Sequence, residues 1–224
     1  MNRKNSRLGV LGLSIVLCVF LANVALAAPT VPGAVYSDQP AGGSNKPVAQ
    51  IQQELQTMGI TDVQADAWYA GSVTVILEAG LLQATPDGQF NPEGIVDNFV
   101  GVSVFAKVLG IASKNDPPFM ALSKMKSAGL VSDFTVGDSE MSRIEVARML
   151  ALALGVKPAA NLDQSAYPFT DFGAFGNDYD RGIMAALYNL GIFKGYEDHT
   201  FRPGATLTRA EIATLVDRIL GSAR

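Results

Sequence analysis

The sequence predicts an all-α chain built from helix–loop–helix units repeated three times, and three spacings predict it. A capping-type residue is followed thirteen positions later by glycine at Asp97 to Gly110, Ser142 to Gly155 and Thr208 to Gly221, each pair bracketing an apolar helical pattern. Ahead of each lies another helical pattern that closes on glycine and two apolar residues: Gly80-Leu81-Leu82, Gly129-Leu130-Val131 and Gly191-Ile192-Phe193. The connecting loops also align, Pro86-Asp87-Gly88-Gln89-Phe90-Asn91-Pro92 with Glu197-Asp198-His199-Thr200-Phe201-Arg202-Pro203. Each is a turn, a buried aromatic and a helix-stopping proline.

Taken in order, the chain opens on an address. Arg3, Lys4 and Arg7 precede an apolar run from Leu8 to Ala22, and Ala25-Leu26-Ala27 offers small residues for cleavage, so residues 1–27 read as a secretory signal peptide. The run is too short to span a bilayer. Its removal takes away Cys18, the single cysteine, so no disulfide can staple the exported chain. Residues 28–47 are rich in Pro, Gly, Ala and Ser and read as a flexible linker. Residues 48–59 read as a helix with Ile51, Leu55 and Met58 on one stripe. The repeats then occupy residues 60–112, 113–157 and 158–224. In the last, Ile212, Leu215, Val216, Ile219 and Leu220 make one buried face. The middle copy is degenerate: its loop is four residues shorter, lacks the Phe-x-Pro, and Pro117 and Pro118 stand where its first helix would begin.

Composition excludes several functions. With 17 Lys and Arg against 21 Asp and Glu, the net charge is -4, which leaves no basic surplus for nucleic acid. One His and one Cys fall short of a metal cage or a thiol–imidazole pair, and no cofactor is implied. Asp171, Asp178 and Asp180 lack the spacing of a calcium loop, and nothing marks the paired carboxylates of a glycosidase. The chain reads as a binding or structural protein rather than an enzyme.

The segments Phe169-Thr170-Asp171-Phe172, Gly191 to Asp198, Thr200-Phe201-Arg202-Pro203 and Leu207-Thr208-Arg209-Ala210-Glu211 resemble an S-layer homology domain. The first copy resembles it through Ile60-Thr61-Asp62-Val63, Trp68, Gly80, Asp87-Gly88, Phe90 and Pro92, and the second mainly through Met141-Ser142-Arg143-Ile144-Glu145. The resemblance implies a pseudo-threefold all-helical bundle whose inter-repeat grooves hold an anionic, often pyruvylated cell-wall polysaccharide. It places the protein outside the cell, at the wall or S-layer. The alternative is an envelope protein that assembles with itself or with other envelope proteins and binds little glycan.

Within the Thr-Arg-Ala-Glu segment, Thr208 with Glu211 and Ser142 with Glu145 read as capping boxes, and Asp97 as a lone cap. Capping does not account for Arg209 and Arg143. A cation in a first helical turn opposes the macrodipole, yet a guanidinium beside free helix amides suits a carboxylate. Either an anionic ligand or an acid of a neighbouring repeat answers them. Trp68 and Tyr179, twelve positions before Gly80 and Gly191, are expected to stack on sugar or to close the core. Gly195, Tyr196 and Arg202 are expected to border the same groove, Lys194 to be a solvated charge, and His199 to be a turn residue at positive φ.

Overall fold

The computed structural model describes residues 45–131 and 140–222. The signal peptide and most of the linker expected from the sequence lie outside them. Seven α-helices appear among the described residues: α1 (Val48–Thr57), α2 (Ala70–Glu78), α3 (Asn98–Val108), α4 (Pro118–Ser127), α5 (Arg143–Ala153), α6 (Asp178–Asn189) and α7 (Arg209–Ser222). Isolated β-bridges, but no strand, accompany them. α1 buries Ile51 and Leu55 and packs on α2, where Lys46 joins Glu54 at 2.6 Å and Thr74 at 3.0 Å. The prolines of the middle copy begin a helix rather than prevent one, because Pro118 takes the N1 position, whose amide has no helical acceptor.

The glycines stop the helices for one conformational reason. Gly80, Gly110, Gly129, Gly155 and Gly191 follow α2 to α6 with φ between +64° and +72°, the left-handed region that costs glycine little. Gly221 departs from the expectation: it lies inside α7, which runs 14 residues against 11 for α3 and α5.

Three extended segments ahead of α3, α5 and α7 meet through antiparallel bridges. Ile95 pairs with Thr208, Asp97 with Glu140, and Ser142 with Thr206. Each segment therefore joins both of the others. The helix pairs follow the same cyclic order: α3 packs on α4, α5 on α6, and α7 on α2. Packed pairs thus straddle the sequence repeats, and the last helix closes on the first copy. The Ser72 hydroxyl donates to Asp217 at 2.8 Å across 145 residues, both side chains buried.

Each complete loop is folded over an aspartate. Asp62 accepts the amides of Phe90 (2.8 Å) and Asn91 (2.6 Å), and Asp171 accepts those of Phe201 (2.8 Å) and Arg202 (2.7 Å). This arrangement buries Phe90 and Phe201 and turns the next residue to positive φ, 57° at Asn91 and 56° at Arg202. Gly88 and His199 occupy matching turns, at φ 83° and 59°. A Cβ at Gly88 would run into the carbonyl oxygen of Gly59, so the glycine is required there, whereas His199 is tolerated.

Candidate functional site

The arginines resolve the conflict with the helix dipole by leaving their own helices. Arg209 reaches back to the first copy's loop, where Nε donates to the Phe90 carbonyl at 2.6 Å and Nη2 to that of Gln83 at 2.7 Å. Its guanidinium lies 4.6 Å from the Phe90 ring centroid. Arg143 does the same to the third copy's loop: Nε donates to Phe201 O at 2.8 Å and Nη2 to Lys194 O at 3.2 Å, with the Phe201 centroid 5.0 Å away. Phe90 corresponds to Phe201 and Gln83 to Lys194, so one device is used twice. The complete loop of copy three is consequently served by the arginine of the degenerate copy two.

Of the two answers the sequence left open for these arginines, Arg143 takes the acid of a neighbouring repeat. Arg143 is 5% exposed, and its Nη1 meets Glu211 Oε1 at 3.2 Å, so an acid of the neighbouring copy answers its charge. Burial lowers its pKa, with Tyr196 and Glu211 acting the other way. Arg209 is half-buried and spends its donors on carbonyls; among the described residues no carboxylate lies within 4 Å of it. Burial likewise lowers its pKa, opposed by Asp62.

Helix caps fall where the hydroxyls and carboxylates stand. Ser142 and Glu145 form a reciprocal box on α5. On α7 the Thr208 amide donates to Glu211 Oε2 at 2.9 Å while the Glu211 amide donates to Thr208 Oγ1 at 3.2 Å. Asp97 accepts the Val100 amide at 2.8 Å. Thr208→Ala should cost about 1 kcal/mol in urea unfolding, the usual value of an N-cap hydroxyl.

Around Arg143 opens a groove of about 350 Å³. Its floor is Arg143 and Phe193. One wall is the third copy's loop from Lys194 to Asp198 with Arg202, the other is α7 through Glu211, Thr214, Leu215 and Arg218, and Trp68 of the first copy stands at its edge. All three copies contribute. Glu211 is the hub: it caps α7, pairs with Arg143 and accepts the Tyr196 hydroxyl at 2.5 Å. The Tyr196 ring has Arg143 at 4.7 Å and Arg202 at 4.1 Å from its centroid, a cation–π stack held from both partners. Burial, then the Glu211 contacts, push the Tyr196 hydroxyl up to about 12. Arg202 is bonded to Asp198 at 2.7 Å, and Asp198 falls to about 2 through the Thr200 hydroxyl first and Arg202 second. Gly195 is required by packing: a Cβ there would stand 2.5 Å from the Phe169 ring and 2.9 Å from Thr200 O.

Two further cations stand in this groove: Lys194, expected from the sequence to be a solvated charge, and Arg218, which the sequence argument missed. Lys194 is half-buried, with its pKa lowered by burial and then by Arg218, and among the described residues no acid lies within 4 Å of its ammonium. Arg218 is pushed down to about 10, by burial first and Arg143 second, with Asp217 opposing. A readable signal existed, because Arg218 follows Glu211 by seven residues and shares its helix face. Tyr179, in contrast, is 48% exposed at the start of α6 and does not line the groove. Around Arg209 the corresponding positions are Gln83, Thr85, Asn91 and Val100 in place of Lys194, Tyr196, Arg202 and Glu211, a far less charged surface.

The two loops closed by Asp62 and Asp171 fall within residues 59–97 and 168–213, and both stretches match the model of the S-layer homology domain. Two regions of the chain are thus similar to the S-layer homology domain. The S-layer homology match leaves residues 98–167 uncovered, the span that holds the degenerate copy. The chain is 29% identical over 104 residues to the Middle cell wall protein of Brevibacillus brevis, 45% of this chain and 10% of that protein. It is 29% identical over 104 residues to the Surface layer protein of Brevibacillus choshinensis, 45% of this chain and 9% of that one. It is also 26% identical over 161 residues to the Cellulosome-anchoring protein of Acetivibrio thermocellus, 63% of this chain and 36% of that protein. The chain thus spans about a tenth of the first two relatives and about a third of the last. The similarities support a cell-wall or cell-surface location and a role in anchoring there. Among the described residues no helix is long and apolar enough to cross a membrane, and no cluster of His, Cys, Asp or Glu could hold a metal.

Proposed function

We propose that the protein attaches to the cell envelope without a covalent bond, by docking an acidic residue of a cell-wall polysaccharide in the groove between α7 and the third copy's loop. It performs no chemistry on that polymer. One observation carries the reading: Lys194 and Arg218 line the same groove as Arg143, where burial and their mutual repulsion disfavour the positive charge they bring. A carboxylate entering there relieves both penalties and gains charge-assisted hydrogen bonds. Trp68 at the edge and Tyr196 in the wall offer flat faces for a sugar ring. A pyruvate ketal is one substituent that would supply the carboxylate.

The test is co-sedimentation of the protein with isolated sacculi, before and after the non-peptidoglycan polymer is stripped. Retention that survives stripping overturns the proposal. Lys194→Ala should weaken retention about tenfold, as loss of one charge-assisted bond does, without lowering the melting temperature. Arg218 fixes the pH dependence. A cation whose folded pKa is lowered destabilises the fold while protonated, and that burden lifts as pH rises through about 10. Wall binding should therefore hold at neutral pH and fall as pH passes about 10, while this group's effect on stability runs the other way.

A further inference from the structure

A second groove, of about 360 Å³, lies between α1 and the segment that leads from it into the first copy. Its floor is apolar, made of the buried Leu55, Ile60 and Val63. Its rim is made of amides: Gln52 and Gln56 stand one turn apart on α1, and Gln64 lines the groove from the following segment, with Asp66 two residues on. Among the described residues, none of these four side chains has a hydrogen-bond or ionic partner. No Lys, Arg or His lines the groove. The α1 wall also precedes the first stretch similar to the S-layer homology domain, which starts at residue 59.

A row of exposed glutamines on a helix is ordinary solvated surface; the buried apolar floor running between two amide-bearing walls is what makes a site of these. Each amide offers a donor and an acceptor, the pair that a sugar hydroxyl needs, and the floor suits the C–H face of a ring. With Asp66 at the rim and no cation to oppose it, an acidic sugar is disfavoured here. We propose that this groove binds an uncharged sugar unit of the wall polymer, next to the acidic unit docked at Lys194. Position decides for that polymer. Asp66 lines this groove and Trp68 edges the one around Arg143, so the two share a connection of two residues, within about 7 Å at Cα. One strand can reach both. The inference rests on the docking proposed above and extends it from one sugar to a short run of them.

The experiment is titration of the full chain with the non-peptidoglycan polymer released from sacculi, at low and at high salt. Gln52→Ala combined with Gln56→Ala should weaken binding about tenfold, as loss of two neutral hydrogen bonds does, and by the same factor at both salt concentrations. The melting temperature should not fall, because alanine favours the helix. Gln64→Ala, on the other wall, should weaken binding several-fold in the same salt-independent way. The effect of Lys194→Ala, in contrast, should shrink as salt is added. Glutamine variants that bind like wild type while Lys194→Ala binds poorly overturn the second site and leave the acidic docking standing. Weakened glutamine variants beside an unaffected Lys194→Ala would overturn the acidic docking and keep the neutral site. Retention on sacculi stripped of the polymer, lost in the glutamine variants, would assign the groove to peptidoglycan and overturn the proposal.

Discussion

Glu211→Ala is expected to be the most damaging single change in the groove, costing about 3–5 kcal/mol in denaturant unfolding. The side chain is almost buried, and its removal strands the Arg143 guanidinium, itself 5% exposed, without a counter-charge. The same change removes the acceptor of the Tyr196 hydroxyl and half of the α7 capping box. Most of the loss is the uncompensated cation, so it should be recoverable. Arg143→Met combined with Glu211→Leu should be much nearer wild type than either single change, since a buried pair can often be exchanged for apolar residues of like volume. Additive losses in that cycle would show that the two groups do not act as a pair.

Arg209→Ala is expected to cost about 2–3 kcal/mol of stability, the value of losing two charge-assisted bonds at a half-buried site. The bonds span 119 and 126 residues, so the loss should appear as loosening of the Gln83–Phe90 loop against the start of α7. Hydrogen exchange at the Ala210 amide, which donates to Pro92 O at 2.9 Å, reports it directly. Retention on sacculi per folded molecule should change little, because the charged groove lies at the other arginine. A stable Arg209→Ala protein that no longer binds the wall would reverse both assignments.

Helices and their ends were legible because their signals are local. A hydroxyl or carboxylate cap, an apolar stripe and a glycine at positive φ lie within one helix and need no tertiary knowledge. Gly221 shows the limit: the residue type is right for a stop, yet the left-handed conformation was not used, and α7 runs on past it. The site was harder to read. Arg209 sits in the more complete motif and drew attention for that reason, but which loop an arginine serves depends on the cyclic order in which α3, α5 and α7 meet. No spacing within one copy encodes that order. Arg143 therefore gained in importance, Tyr179 dropped away from the groove, and Lys194 and Arg218 became ligand-facing candidates only once α7 stood opposite the loop.

The closure of α7 on α2 sets a condition on how the protein comes into being. α2 and α7 stand far apart in sequence, and the Ser72–Asp217 bond between them closes a loop of 145 residues. Contacts this distant in sequence are slow to form. The ring therefore closes only once α7 has found α2, whatever has formed before.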